Sequence, residues 1–188
     1  MEVKEVRIKT ASPGIRQARE IYNLALQGKV YGVPFAVGLN EHVFPKEWGA
    51  ADARIRGVTE NGGIFVYYWK RAPSVFFTFL GETRNYEEFT VGVRDVKSTD
   101  PYFLNGRYIS LPDRYKDVTI QDVIKVFGDN YYQSTYTEPA GSTVSYFYTL
   151  SFDYCIRFAV YENKLVSFMV SKQTNPFVQE DLKKLRQQ

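Results

Sequence analysis

The chain has 188 residues, of which 44% are hydrophobic and 24% charged, and this composition excludes an intrinsically disordered protein. Its formal net charge is only +3, with basic and acidic residues mixed along the chain, so we expect no nucleic-acid partner. We also expect no membrane span, because no stretch approaches the roughly 20 apolar residues that a spanning helix needs. The single cysteine, Cys155, excludes an intrachain disulfide.

The first predicted element is an amphipathic helix that begins at Ser12-Pro13. A capping residue followed by proline at the first helical position is a typical helix start. Apolar residues then recur at three- and four-residue spacing up to Leu26, and Gly28 ends the helix. Such a helix needs a sheet or another helix to cover its apolar side.

Two shorter helices are predicted further along the chain. The first covers about residues 40–48, with Asn40 as its cap, although Pro45 removes a backbone hydrogen bond inside it and so favours a single distorted turn as the alternative. The second begins at the cap Thr119, has the spacing of a capping box, and ends at Gly128. The second helix is therefore the better formed of the two.

A meander of antiparallel strands is predicted after each of these shorter helices, because alternating apolar residues are separated by glycine- and proline-containing turns. The strands are predicted at about 53–59, 63–70, 74–80 and 89–97, and again at 131–137, 142–149, 152–161 and 164–172.

A final helix is predicted after the last strand, from Asn175-Pro176 onward.

The two halves of the chain resemble each other. The phrase Leu26–Val30 recurs as Leu104–Tyr108 at an offset of 78, and further downstream Trp48 corresponds to Phe127 at an offset of 79. Internal similarity over such a span indicates two copies of one unit. We therefore predict an α+β fold of two tandem repeats, each a helical segment followed by a mostly antiparallel β-meander, with an extra C-terminal helix. The predicted units are residues 1–100, 101–174 and 175–188.

Comparison of the halves also predicts which strand faces are buried, since side chains alternate between the two faces. Phe77 and Phe79 correspond to Ile156 and Phe158, so this parity is the predicted core. Residues of the opposite parity differ in polarity between the two halves, as surface residues do. They are therefore predicted to be exposed, unless a helix or the other half covers them. Large aromatic residues beside arginine on an open sheet are typical of protein-recognition surfaces. The candidate binding residues are Tyr68, Phe76, Arg94, Phe147 and Arg157.

The residue types that support catalysis are sparse. His42 is the only histidine and has no obvious nucleophile beside it, and Cys155 has no histidine near it in the sequence. A glycine-rich phosphate loop is absent, and the acidic residues are spaced too loosely for a calcium loop. We therefore expect no enzyme, no cofactor and no metal.

The stretch Gly28–Gly38, the Trp48-Gly49 pair and the segment Asp122–Gly128 resemble the pattern of the YjgB-like secreted proteins of Bacillus-type bacteria, a family of unknown function. This resemblance implies secretion and a fold rather than an activity. The doubled unit is also similar to the architecture of the beta-lactamase inhibitory protein family. This similarity implies a role in binding another protein, as in that family.

These observations lead to a main hypothesis and two alternatives. The main one is a non-catalytic secreted or cell-surface module that binds another protein, with its leader peptide removed from this chain. The first alternative is a carbohydrate or cell-wall binding module, whose exposed rings stack on the sugars of a cell-wall polysaccharide. The second is an enzyme that uses a pair of carboxylates.

Overall fold

The computed structural model describes residues 11–59, 62–80, 84–92, 111–138 and 141–174. These residues form two α-helices, α1 (Pro13–Ala25) and α2 (Ile120–Phe127). Short 3-10 turns cover Glu41–Val43, Lys46–Trp48 and Asp113–Tyr115. The eight strands are β1 (Ala53–Thr59), β2 (Gly62–Tyr68), β3 (Val75–Leu80), β4 (Asn85–Gly92), β5 (Tyr132–Glu138), β6 (Gly141–Thr149), β7 (Tyr154–Tyr161) and β8 (Lys164–Lys172).

All eight strands form one antiparallel sheet in the order β1-β2-β3-β4-β8-β7-β6-β5. The join between early and late strands is the β4–β8 ladder, in which Thr90 lies opposite Met169. Two separate meanders would leave β4 and β8 as edges with unpaired backbone groups, and their pairing removes both edges.

The predicted fold class is therefore wrong. The chain does not form two tandem units, each a helical segment with its own meander, plus an extra helix. The described residues form mostly one continuous sheet with two α-helices. The C-terminal helix expected over residues 175–188 lies outside the described residues. The unit boundaries at 100 and 174 remain a prediction.

Local sequence explains where the helices form. In α1 the side chain of Ser12 accepts a hydrogen bond from the Ile15 N–H at 3.3 Å, so the predicted start is confirmed. In α2 the side chains and backbone of Thr119 and Asp122 form the predicted capping box. The predicted helix over 40–48 is wrong. Two 3-10 turns flank Pro45, which has no N–H to continue a helix.

Both helices lie against one face of the sheet, which we call the helix-covered face. The ring of Phe127 on α2 is 4.9 Å from that of Tyr22 on α1 and 5.1 Å from that of Phe158 on β7. α1 and α2 also contact each other closely at Gly14, where an added Cβ would lie 2.3 Å from the Asp122 carboxylate. The helix pair therefore closes the core over the β5–β8 side.

Aromatic rings from the segment between α1 and β1 fill the core over the β1–β4 side. Phe44 stacks on Trp69 with 4.9 Å between ring centres, and Trp48 lies 5.7 Å from Phe77. Phe77 in turn lies 5.0 Å from Phe89 on β4. Much of the chain's 16% aromatic content is therefore used to bury this half of the sheet.

Candidate functional site

The face of the sheet opposite the helices carries most of the predicted binding residues. A row of direct cross-strand partners crosses this face from β2 to β5, one residue per strand. Four of the five predicted site residues belong to the row, and the fifth, Arg94, lies outside the described residues. In spatial order the row is Tyr68, Phe76, Thr90, Met169, Arg157, Phe147 and Tyr132.

Burial divides this row into two parts. Phe76 is only 2% exposed and Tyr68 is half-buried against it, with 5.6 Å between the ring centres. At the other end Phe147 is 36% exposed and Tyr132 is 69% exposed. The prediction that Phe76 lies at the surface is therefore wrong, and the accessible part of the face is the β5–β7 side.

Three large exposed side chains and one cation lie on this side of the face, and we call this group the aromatic patch: Tyr132, Tyr136, Phe147 and Arg157. The rings of Tyr132 and Phe147 are 5.8 Å apart. The guanidinium carbon of Arg157 lies 5.9 Å from the centre of the Phe147 ring, within the range of a cation–π contact. Tyr136, 65% exposed, lies four residues from Tyr132 along β5, on the same face.

Sequence reasoning missed Tyr132 and Tyr136. Both lie in the segment predicted as a strand over 131–137, and the alternation of Tyr132, Ser134 and Tyr136 with polar residues puts them on one face. That alternation was a usable signal. Their exposure, however, depends on β5 lying at the edge of the sheet, which the alternation alone does not give.

A groove of about 700 Å³ adjoins the aromatic patch. Phe147 and Tyr132 contribute to its apolar wall, and Arg157 and Lys172 contribute positive charge. Among the other lining residues are Glu88, Cys155, Met169 and Ser171. The groove therefore combines apolar and aromatic contacts with many polar groups and with charges of both signs.

Glu88 is the perturbed acid of this groove. Burial raises the pKa of its carboxyl above the ordinary value of 4.5, while the positive charge of Arg157 opposes that rise. The carboxyl and the guanidinium thus interact electrostatically across the groove. Any ligand that displaces water here would strengthen that interaction.

Cys155 is not activated as a nucleophile. Its Sγ lies 3.2 Å from the Ser171 hydroxyl oxygen, and burial raises the pKa of the thiol. A raised pKa lowers the thiolate fraction and with it the reactivity. His42 is distant from Cys155 in the sequence and lies in the 3-10 turn Glu41–Val43. Its Nε2 lies 3.2 Å from the Arg84 guanidinium and 3.9 Å from the Glu41 carboxylate.

The described residues contain neither a metal-binding cluster nor a helix able to span a membrane. No cluster of three or more histidine, cysteine, aspartate or glutamate side chains in this part of the chain is arranged to hold a metal ion. None of its helices has the length and apolar character needed to cross a membrane.

Comparison with known proteins gives a family but no activity. No curated protein matches the sequence. A crystal structure from Streptococcus mutans, described as a candidate beta-lactamase inhibitor protein, aligns over 85% of this chain and 96% of its own, with 9% identity and a TM-score of 0.27. Residues 18–171 match the domain of unknown function DUF4309. The chain therefore belongs to the DUF4309 family.

Proposed function

We propose that this protein is a non-catalytic module that binds another protein through the aromatic patch and the adjoining groove. The observation that carries the proposal is the exposure of Tyr132, Tyr136 and Phe147 next to Arg157 on a sheet face. Aromatic residues and arginine are the types most enriched at the energetic centres of protein interfaces. Clusters of exposed large aromatic side chains are uncommon on surfaces without a binding role.

The rigidity of the sheet supports this proposal. Phe147 and Arg157 lie on β6 and β7, which are hydrogen-bonded on both sides. Their neighbours of opposite parity, such as Tyr148 and Ile156, are buried in the core. The patch is thus held in place before binding, which lowers the entropy cost of association.

We further propose that the protein acts outside the cytoplasm, as a secreted or cell-surface protein. This part of the proposal depends on the resemblance of the Gly28–Gly38 phrase to the YjgB-like secreted proteins of Bacillus-type bacteria. Detection of the native protein in culture medium or the cell-wall fraction tests it. Recovery in the cytosolic fraction alone would contradict it.

Capture from native envelope extract tests the binding role. Wild type should retain a defined protein that Phe147→Ala and Arg157→Ala each retain at least about tenfold less well, equivalent to about 1.4 kcal/mol. Val43→Ala is the matched control, because Val43 is exposed but lies in a 3-10 turn remote in sequence from the patch. Equal capture by all four proteins would contradict the proposal.

A cell-wall polysaccharide is the second candidate partner, because exposed tyrosine rings such as Tyr132 and Tyr136 are suited to stacking on sugars. Sedimentation with purified peptidoglycan separates the two. A protein-binding module should stay in the supernatant. Cosedimentation that Tyr132→Ala abolishes would favour the polysaccharide instead.

A further inference from the structure

β5 is an edge strand of the sheet that the described residues form. It has β6 as its neighbour on one side only. Within the part of the chain that the structure describes, no backbone hydrogen bond reaches its outer side. Unpaired N–H and C=O groups along an edge form a template for another strand.

The direction of each backbone group on β5 follows from the neighbouring ladders. The N–H of Leu150 donates to the Tyr154 carbonyl at 3.0 Å, so the backbone groups of Leu150 point toward β7. Backbone groups point alternately to the two sides of a strand, so the even-numbered residues of β6 face β7 and the odd-numbered ones face β5. The residues of β6 that face β5 are then the partners of Tyr132, Ser134 and Tyr136. The outward-facing backbone groups of β5 are those of Gln133, Thr135 and Thr137.

The two edges of the sheet differ in charge. β1, the opposite edge, carries Arg54 and Arg56, and charged residues on an edge discourage pairing with another chain. β5 has no charged residue from Tyr132 to Thr137, and its ladder to β6 has no bulge. Proline is also absent from β5. The edge at β5 therefore lacks the usual features that block strand addition.

We propose that β5 pairs antiparallel with β5 of a second copy of this chain, so that the two sheets become continuous across a two-fold axis. This inference goes beyond the binding role above and does not depend on it. A second copy fits because β5 complements itself. Its only charged residue, Glu138, lies at the end of the strand, so antiparallel pairing keeps the two Glu138 carboxylates apart, whereas two copies of β1 would bring arginines together.

The outward-facing residues fix the register. A two-fold axis at Thr135 pairs Thr135 with itself and Gln133 with Thr137 of the second copy, which uses every outward-facing backbone group. This arrangement gives about six hydrogen bonds, two for each hydrogen-bonded pair. An axis shifted by one residue along the strand would leave one outward-facing residue unpaired.

The same register extends the aromatic patch. On the face opposite the helices, Tyr136 would lie opposite Ser134 of the second copy and diagonal to that copy's Tyr132. Diagonal neighbours are roughly 7–8 Å apart, within reach of aromatic side chains. The two patches would therefore meet at the axis, and their exposed rings would shield one another from water.

Sedimentation velocity over a wide range of protein concentration tests the dimer. Thr135→Pro removes an outward N–H without touching the ladder to β6, and an edge strand tolerates proline at such a position. Thr135→Val is the matched control, because it keeps the N–H and a β-branched side chain. Wild type and Thr135→Val should form dimers, and Thr135→Pro should be monomeric with an unchanged circular dichroism spectrum. A monomeric wild type at all concentrations, or a Thr135→Pro dimer, would overturn the proposal.

Disulfide trapping tests the register without proline. Paired residues across an antiparallel ladder have Cα atoms about 5.5 Å apart, within the range of a disulfide. In a Cys155→Ser background, Thr135→Cys should form a covalent dimer on mild oxidation. Gln133→Cys should not, because its partner is Thr137. Equal cross-linking at both positions, or none at Thr135→Cys, would contradict the register. Arg157→Ala should leave the dimer intact even if it abolishes partner capture, so the two proposals can fail separately.

Discussion

Arg157 and Phe147 are direct partners across the β6–β7 ladder, and the guanidinium carbon lies 5.9 Å from the centre of the phenyl ring. The same guanidinium holds down the pKa of Glu88, which burial raises. The Arg157 side chain therefore interacts with both an aromatic ring and a carboxyl group of the groove.

We expect Arg157→Gln to raise the pKa of Glu88 further, because the variant removes the positive charge that opposes the effect of burial. Carbon-13 NMR titration of the Glu88 side-chain carboxyl measures this directly. Arg157→Lys is the control that keeps a cation and should give a smaller change. An unchanged Glu88 titration in Arg157→Gln would show that the two groups do not interact.

Glu88→Gln should increase the free energy of unfolding at pH 7. Because the pKa of Glu88 is raised in the folded state, its contribution to stability is fully present below the ordinary value of 4.5 and is lost as pH rises through the folded pKa. The neutral amide avoids that loss. Urea denaturation at pH 7 and at pH 4 should show a gain that shrinks at the lower pH. Glu162→Gln, at an exposed hairpin position, controls for the removal of one negative charge. A constant difference across pH would rule out this explanation.

Tyr148→Phe should lower the free energy of unfolding by about 1 kcal/mol, the typical net contribution of a hydrogen bond. The buried Tyr148 hydroxyl donates to the Gly128 carbonyl at 3.1 Å, at the end of α2. Burial raises the pKa of Tyr148 to about 12, so the hydroxyl stays protonated through the neutral range. Chemical denaturation is the measurement. Tyr132→Phe, on an exposed side chain, should change stability by less than about 0.5 kcal/mol. Equal effects of the two variants would contradict the assignment.

Gly14→Ala should destabilise the protein even though alanine is the better helix former. Helix propensity favours alanine by about 1 kcal/mol. The new Cβ, however, would lie 2.7 Å from the Asp117 carbonyl oxygen as well as against the Asp122 carboxylate. Such overpacking costs about 1–3 kcal/mol, and the backbone contact cannot rotate away. A thermal denaturation midpoint below that of wild type is expected. A higher midpoint would mean that α1 and α2 are less closely packed than described.

The strand parity was predictable from sequence because it depends only on local alternation. Phe77 and Phe158, assigned to the core by comparing the halves, are 0% exposed. The burial of Phe76 was not predictable in the same way. The side chain of Phe76 lies on the face opposite the helices. Its exposure depends on what packs against that face, and alternation within β3 does not reveal this.

Strand order is the property that the sequence did not reveal. Similarity between the halves carries no information on whether β4 and β8 pair, and that pairing is what makes one sheet. The start of β4 was also misplaced, at 89 instead of Asn85, because three of its first four residues, Asn85, Glu87 and Glu88, are polar. The exposure of Tyr132 and Tyr136 is favoured by the same strand order, since an edge strand has a neighbour on one side only.

The β4–β8 ladder has a consequence for how the chain acquires its structure during synthesis. Thr90 on β4 pairs with Met169 on β8, 79 residues later in the chain. The hydrogen bonds between β4 and β8 therefore cannot form until β8 has emerged from the ribosome. Contacts between residues so distant in sequence slow folding, because the intervening chain must lose entropy before they form. Until then β4, with its buried residues Phe89 and Val91, is an exposed apolar edge.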